Sequence, residues 1–190
     1  MPKIGQEPKR RAALVAATVE EIGAAGSLEV TVGQIAKRAG MSSALAHHYF
    51  GGKAQIFLAA MRHILTEYSR DVRLALGRAT PGRRLEAIIE GSFDPNCFDP
   101  AAISAWLNFY SFAQRDTEAA RLLRVYQRRL HSNLVHALRG RCADPETVAH
   151  IIAAQIDGVY LRAALDGGDI TGASEQVKTV AKALMQDKLI

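Results

Sequence analysis

Cysteine, tryptophan, proline and long apolar runs are all scarce in this sequence of 190 residues. The two cysteines, Cys97 and Cys142, stand far apart and in no CxxC pattern. That spacing excludes a disulfide framework and a zinc finger and points to a reducing cytoplasm. No unbroken apolar run exceeds six residues, as at positions 12–17, whereas a membrane span takes about 20. Behind Met1-Pro2-Lys3-Ile4-Gly5-Gln6 there is no apolar stretch of the kind a secretory signal carries. Strand-like alternation, internal repeats and low-complexity tracts are missing too. The expectation is a soluble cytoplasmic protein that makes no membrane contact.

What is present is a globular composition, 48% hydrophobic and 23% charged, at a length that fits one large domain or two smaller ones. The net charge is +5, with a pI near 9.4. Residues 1–53 hold seven basic residues (Lys3, Lys9, Arg10, Arg11, Lys37, Arg38 and Lys53) against four acids, or +3; the rest hold 17 against 15, or +2. Positive charge is denser in the first quarter, which suggests a polyanionic partner there.

The 3.6-residue apolar period recurs from end to end, so the chain is expected to be all-α. A first helix opens around Pro8, buries Leu14, Thr18 and Ile22, and stops at Gly26. Thr31 with Gln34 forms a capping box and Val30 with Ile35 a hydrophobic staple, which predicts a helix starting after Thr31. Gly40 ends it early. Ser42 then caps another helix through Phe50, closed by Gly51-Gly52. A long helix from Lys53 to near Gly77 carries Phe57, Ala60, Ile64, Tyr68 and Val72 inward. Further helices are predicted at 83–93, from Asp99-Pro100, at 117–139, from Asp144-Pro145 to Gly167-Gly168, and between Gly172 and Asp187. Asp94-Pro95-Asn96-Cys97-Phe98 reads as a loop.

Two short helices joined by Ala39-Gly40-Met41-Ser42 make a helix-turn-helix. Gly40 would supply a positive φ, and Ile35, Ala36, Met41 and Ala46 the apolar hub. An ordinary αα-corner has the same outline. The capping box, the small Ala36 and Ala39, and the local basic charge favour DNA binding.

The run Thr31…Ile35-Ala36…Ala39-Gly40-Met41-Ser42…Tyr49-Phe50…Lys53 resembles the DNA-binding signature of the TetR family. Arg10-Arg11, Ser92-Phe93-Asp94, Ala105-Trp106-Leu107, Arg128-Arg129-Leu130, Ile156-Asp157-Gly158 and Leu161-Arg162-Ala163-Ala164-Leu165, with Met1-Pro2-Lys3 at the start, resemble the choline-responsive repressors within that family. The likeness is spread over most of the chain. It departs at Gly51-Gly52, where a polar pair is more usual, and at Ala46 and His47, where relatives vary. The resemblance implies a three-helix DNA-binding domain at residues 1–52 and a larger helical ligand-binding and dimerisation domain at 53–190. It also implies a homodimeric repressor of choline uptake and glycine-betaine synthesis genes, a pseudo-palindromic double-stranded operator, and choline as the inducer.

In such a reader the helix from Ser42 to Phe50 enters the major groove. Ser42, Ser43 and Ala44 stand at its first turn, where backbone N–H groups face phosphate or base edges. His47 and His48 are its long polar side chains, and Tyr49, Lys53 and Thr31 would hold backbone phosphates. Each histidine read alone is a solvated surface group; the helix-turn-helix favours a contact for His47. Lys9, Arg10 and Arg11 would add sequence-independent attraction. Adjacent histidines diverge by ~100° on a helix and do not converge on one ion, and His131, His136 and His150 are scattered. No metal, cofactor or catalytic residue is expected.

A quaternary ammonium is recognised by aromatic faces, because it has no N–H to donate. Trp106, Phe109 and Tyr110 share one helix face. Tyr126 and Tyr160 would close a box from other helices, Phe93 or Phe98 would line its mouth, and Asp157 would sit midway along an apolar helix. A buried carboxylate needs a partner, either a ligand cation or Arg162. The same rings would also serve as plain core. In the dimer that the resemblance implies, Ala153, Ala154, Gly158, Ala163 and Ala164 would permit close helix approach. Three other readings compete. One is a multidrug- or lipid-responsive repressor. Another is a helical enzyme, for which Ser104, Ser111 and Ser132 offer only His131 as a nearby base and no paired carboxylates or phosphate loop appear. The last is an architectural DNA-binding protein without a ligand.

Overall fold

A computed structural model describes residues 6–167 and 169–186. The readings at Met1-Pro2-Lys3, Gly168 and Asp187 lie outside the described residues. Among these, the chain is helical throughout and contains no strand: α1 (Gln6–Ala25), α2 (Val32–Arg38), α3 (Ser43–Phe50), α4 (Lys53–Arg78), α5 (Arg84–Ser92), a 3-10 turn at Pro95–Phe98, α6 (Pro100–Ala113), α7 (Thr117–Leu138), α8 (Pro145–Leu165) and α9 (Ala173–Gln186). The segment expected as a loop at Asp94 is ordered into that 3-10 turn, because the Asp94 carboxylate accepts from Asn96 N–H and Pro95 pre-sets the first φ.

Helix starts and stops follow side-chain chemistry. Thr31 Oγ1 accepts from Gln34 N–H at 3.1 Å while Gln34 Oε1 accepts from Thr31 N–H at 2.7 Å, so both arms of the capping box are present. Ser42 Oγ accepts from Leu45 N–H at 3.2 Å, and Asp144 Oδ1 accepts from both Glu146 and Thr147 N–H at 3.1 Å. Gly40 turns between α2 and α3 at φ +65°, a conformation that costs a side-chain-bearing residue about 1 kcal/mol or more.

The chain divides into two compact units. The first comprises residues up to Leu65 together with Pro100–Ala120; the second comprises Thr66–Asp99 and the chain from Arg121 onward. This division differs from a boundary at 52/53 in two respects: the first part of α4, to Leu65, and α6 both belong to the first unit, where α6 packs with α1. In the first unit Leu14, Ile22, Val30, Ile35, Ala36, Ala46, Ile56 and Ala105 are buried together, with Met41, Tyr49, Phe50 and Phe112 packed against them. Ser104 Oγ donates to the Ile22 carbonyl at 3.3 Å and Asn108 Nδ2 to the Gly26 carbonyl at 3.2 Å, and Phe112 meets Phe57 edge to face. The approach is close: a Cβ on Gly23 would lie 2.5 Å from the Ala101 Cβ.

In the second unit α5 lies so near α4 that a Cβ on Gly91 would meet the Val72 backbone at 2.9 Å. Lys178 of α9 reaches Glu90 of α5 at 2.8 Å. By length and composition α8 is the one described helix apolar enough to cross a membrane, yet it carries His150, Gln155, Asp157 and Arg162 along its length.

Candidate nucleic-acid interface and effector site

Helix α3 presents the polar residues singled out for DNA. Ser42, Ser43, Ala44, His47, His48, Thr31 and Lys53 are exposed, and Tyr49 is half-buried. Ser42 uses an oxygen lone pair for its cap and keeps its O–H for an outside acceptor. Thr31 differs. Its hydroxyl donates to Gln34 Oε1 at 2.7 Å, so the capping box engages both its hydroxyl and its N–H. Lys53 extends over the Phe57 ring, with Nζ 5.4 Å from the centroid.

Two of the basic residues counted as free positive charge are engaged within the protein. Arg11 stacks 4.5 Å above the Phe50 centroid and donates Nη1 to the Tyr49 carbonyl. Arg11 thus has a partner within the protein besides the phosphate attraction expected of it; sequence showed the cation but not the ring beneath it. Arg38 pairs with Glu21 through Nε and with Glu20 at 3.3 Å, fastening α2 to α1. Lys9 and Arg10 remain on the exposed face of α1.

The effector candidates fall into two groups. Trp106, Phe109 and Tyr110 lie together on α6 in the first unit, with Trp106 5.7 Å from Phe109 and 5.3 Å from Tyr110 between ring centroids. Tyr126, Asp157, Tyr160 and Phe93 lie in the second unit. There the Tyr126 hydroxyl donates to Asp157 Oδ1 at 3.2 Å. Tyr126 also meets Tyr68 edge to face at 5.5 Å, and the Tyr68 hydroxyl is 3.0 Å from Ser92 Oγ. Phe93 stacks on Phe98 at 6.4 Å, Phe98 packs against Tyr160 at 4.8 Å, and the Tyr160 hydroxyl donates to the Cys97 carbonyl at 3.2 Å.

Asp157 therefore has the Tyr126 hydroxyl as its partner rather than Arg162, which is exposed further along α8. Burial raises the Asp157 pKa, and the Tyr126 hydrogen bond opposes that rise. Burial likewise pushes Tyr68 up to about 12, so it stays a neutral phenol. Burial, with Asp71 and Asp94, likewise pushes the Cys97 thiol up to about 12, which favours its protonated form. Tyr68 was legible only as one member of an apolar stripe, and Asp71 was not singled out at all. Among the described residues no group of three or more His, Cys, Asp or Glu forms a metal site.

On α8 the exposed face runs through Ala154, Gly158, Leu161 and Leu165, spaced four, three and four residues apart. Leu161 is 43% and Leu165 69% exposed. Ala163, expected on that face, is instead buried within the chain.

Comparison with known proteins matches residues 14–60 to the family of bacterial regulatory proteins, tetR family, and residues 81–188 to the C-terminal region of BetI-type transcriptional repressors. The HTH-type transcriptional regulator BetI of Brucella anthropi is 49% identical over 183 residues, covering 95% of this chain and 94% of its own. The regulator of the same name from Rhizobium meliloti is 48% identical over 174 residues, covering 90% and 86%. A transcriptional regulator from Pseudomonas aeruginosa PAO1 superimposes with a TM-score of 0.83 at 25% identity, covering 94% and 91%. A regulator from Saccharomonospora viridis solved in complex with choline superimposes at 0.79, with 19% identity and coverage of 92% and 96%. With half its residues shared along nearly its whole length, and with its N-terminal and C-terminal segments both matched, the chain belongs to the TetR family of DNA-binding transcriptional repressors, in its BetI-type branch, and is not an enzyme.

Proposed function

We propose that the protein is a cytoplasmic homodimer that represses choline uptake and glycine-betaine synthesis genes and is released from its operator by choline. Residues 1–52 are read as the DNA-binding domain and the remainder as the regulatory one. Ser42, Ser43, Ala44, His47 and His48 would face the major groove, with Tyr49, Lys53 and the α2 start at Thr31 beside the phosphate backbone. The observation that carries the effector reading is the Tyr126–Asp157 hydrogen bond beside the Tyr68–Tyr126 ring pair. A half-buried carboxylate beside aromatic faces offers a methylated cation both counter-charge and quadrupole attraction. An acyl-chain carboxylate would meet like charge there. The choline bound by the Saccharomonospora regulator supports the same class of ligand.

The exposed apolar stripe of α8 supports a second copy as its occupant, since a two-fold dimer is self-complementary and small residues at Ala154 and Gly158 let helices approach. Two readers related by a two-fold axis call for a pseudo-palindromic operator. Choline acts only so far as it binds the DNA-competent and incompetent forms with different affinity. Trp106, Phe109 and Tyr110 retain their proposed part in effector binding; Trp106→Phe, read by choline titration, tests it.

Fluorescence anisotropy on a labelled duplex from the protein's own upstream region, with a scrambled duplex alongside, tests the whole. Tight binding to the true duplex, weakened by choline, is expected. Tight binding indifferent to choline would discard the ligand and keep the repressor. Equal binding to both duplexes would discard operator recognition.

A further inference from the structure

Asp71 sits one turn beyond Tyr68 on the same side of α4, a spacing that makes the two side chains neighbours. It is 6% exposed. Arg70 Nε approaches only its Oδ1, at 3.5 Å, and Oδ2 is buried with no hydrogen-bond partner among the described residues. The other two charges that act on it are Asp94, which caps the 3-10 turn, and Glu67 of α4. Burial and the charge of Asp94 raise the pKa of Asp71, and Arg70 opposes them. Asp71 in turn acts on the thiol of Cys97, whose carbonyl holds the Tyr160 hydroxyl. The carboxylate is thus a near neighbour of Tyr68, whose ring meets that of Tyr126 edge to face. A buried carboxylate oxygen without a donor costs about 1–3 kcal/mol or more, and native structures keep such atoms rarely and for a reason.

The proposed effector supplies that reason. Its trimethylammonium head has no N–H, so the only hydrogen it offers belongs to its tail. We propose that Asp71 is a specificity-determining residue of the effector site, accepting a hydrogen bond from a hydroxyl on the cation's tail and turning away tails that end in a carboxylate. The proposal rests on the cage reading above and adds to it what lies beyond the head group. Asp157 answers the positive charge, which every quaternary ammonium shares. Asp71 distinguishes among them by the tail. An alcohol is accepted, an alkyl tail leaves Oδ2 unpaired, and a carboxylate tail faces both Asp71 and Asp94.

Isothermal titration of the full-length protein with choline, ethyltrimethylammonium and glycine betaine separates these outcomes. Wild-type protein is expected to bind choline about tenfold or more tighter than ethyltrimethylammonium, the worth of one hydrogen bond to a charged acceptor, and betaine more weakly than either. In Asp71→Asn choline should weaken about fivefold, because a neutral acceptor replaces a charged one. The alkyl analogue should hold its affinity and betaine should gain. Equal binding of choline and its alkyl analogue by wild type overturns the assignment and leaves the cage standing, and this comparison needs no variant to fold. Unchanged ratios in Asp71→Asn also overturn it. Failure of all three to bind wild type overturns the cage, and the assignment with it.

Discussion

The Arg11 guanidinium lies 4.5 Å above the Phe50 ring and donates to the carbonyl of Tyr49, so α1 grips the last turn of α3. A cation that also touched phosphate would contribute to the salt dependence of operator binding by about one unit of slope. Arg11→Ala is expected to weaken operator binding and lower the melting temperature by about 2–4 °C, as loss of roughly 1 kcal/mol would. The slope of log affinity against log salt should stay as in wild type. Loss of a full unit would make Arg11 a phosphate ligand.

Lys53 and His47 are expected to separate along the same axis. Both are exposed beside α3. Lys53→Ala should weaken binding to true and altered duplexes alike and reduce the salt slope by about one unit. His47→Ala should cost about 1–3 kcal/mol on the true operator and little on altered ones, as the loss of a base contact does. Anisotropy titrations at several salt concentrations, on both duplexes, read the two effects.

Much of this fold is written locally. The Thr31–Gln34 box, the Ser42 and Asp144 caps and the positive φ of Gly40 each depend on residues within four positions, so their spacing alone announces them. What depends on distant partners was illegible. Arg11 reads as free charge because Phe50 is 39 positions away, and Arg162 stands as the side-chain candidate for Asp157 until α7 is laid beside α8 and Tyr126 takes that place. Asp71, in the run Arg70-Asp71-Val72-Arg73, resembles a solvated face. Its three-residue spacing from Tyr68 was the available signal, hidden by the charges flanking it.

Gly23 is a second such case. Within α1 it reads as weak helix near a stop, where alanine would gain about 1 kcal/mol of propensity. A Cβ there would lie 2.5 Å from the Ala101 Cβ and 2.6 Å from its Cα, and backbone does not yield as a flexible side chain does. Gly23→Ala is therefore expected to destabilise the protein by about 1–3 kcal/mol, as overpacking does. Thermal unfolding measures it; a raised melting temperature would mean that α6 is free to move off α1.

Leu161 and Leu165 stand 43% and 69% exposed on the α8 face. If a second copy covers them, Leu161→Asp with Leu165→Asp should place two charges in an apolar interface and yield a monomer by sedimentation. Operator affinity should collapse with it, because both half-sites must then be found independently. A dimer that survives both substitutions would move the interface elsewhere.

If Asp157 faces the effector, its titration ties binding to pH, and the sign follows from its raised pKa. Folding favours the protonated acid, so its contribution to stability is full below the ordinary carboxylate range and is lost as pH rises through the folded value. A cation favours the opposite form. Choline affinity should rise with pH through that folded value and level off above it. Tyr126→Phe removes the hydrogen bond that holds the pKa down, so the rise should move to higher pH. Asp157→Asn should flatten the curve, lose choline response, and melt higher than wild type at neutral pH, since a half-buried charge has been removed. Calorimetric titration across pH, with melting curves of the three proteins, tests the set. A choline affinity that is flat with pH in wild type would mean that Asp157 does not face the cation.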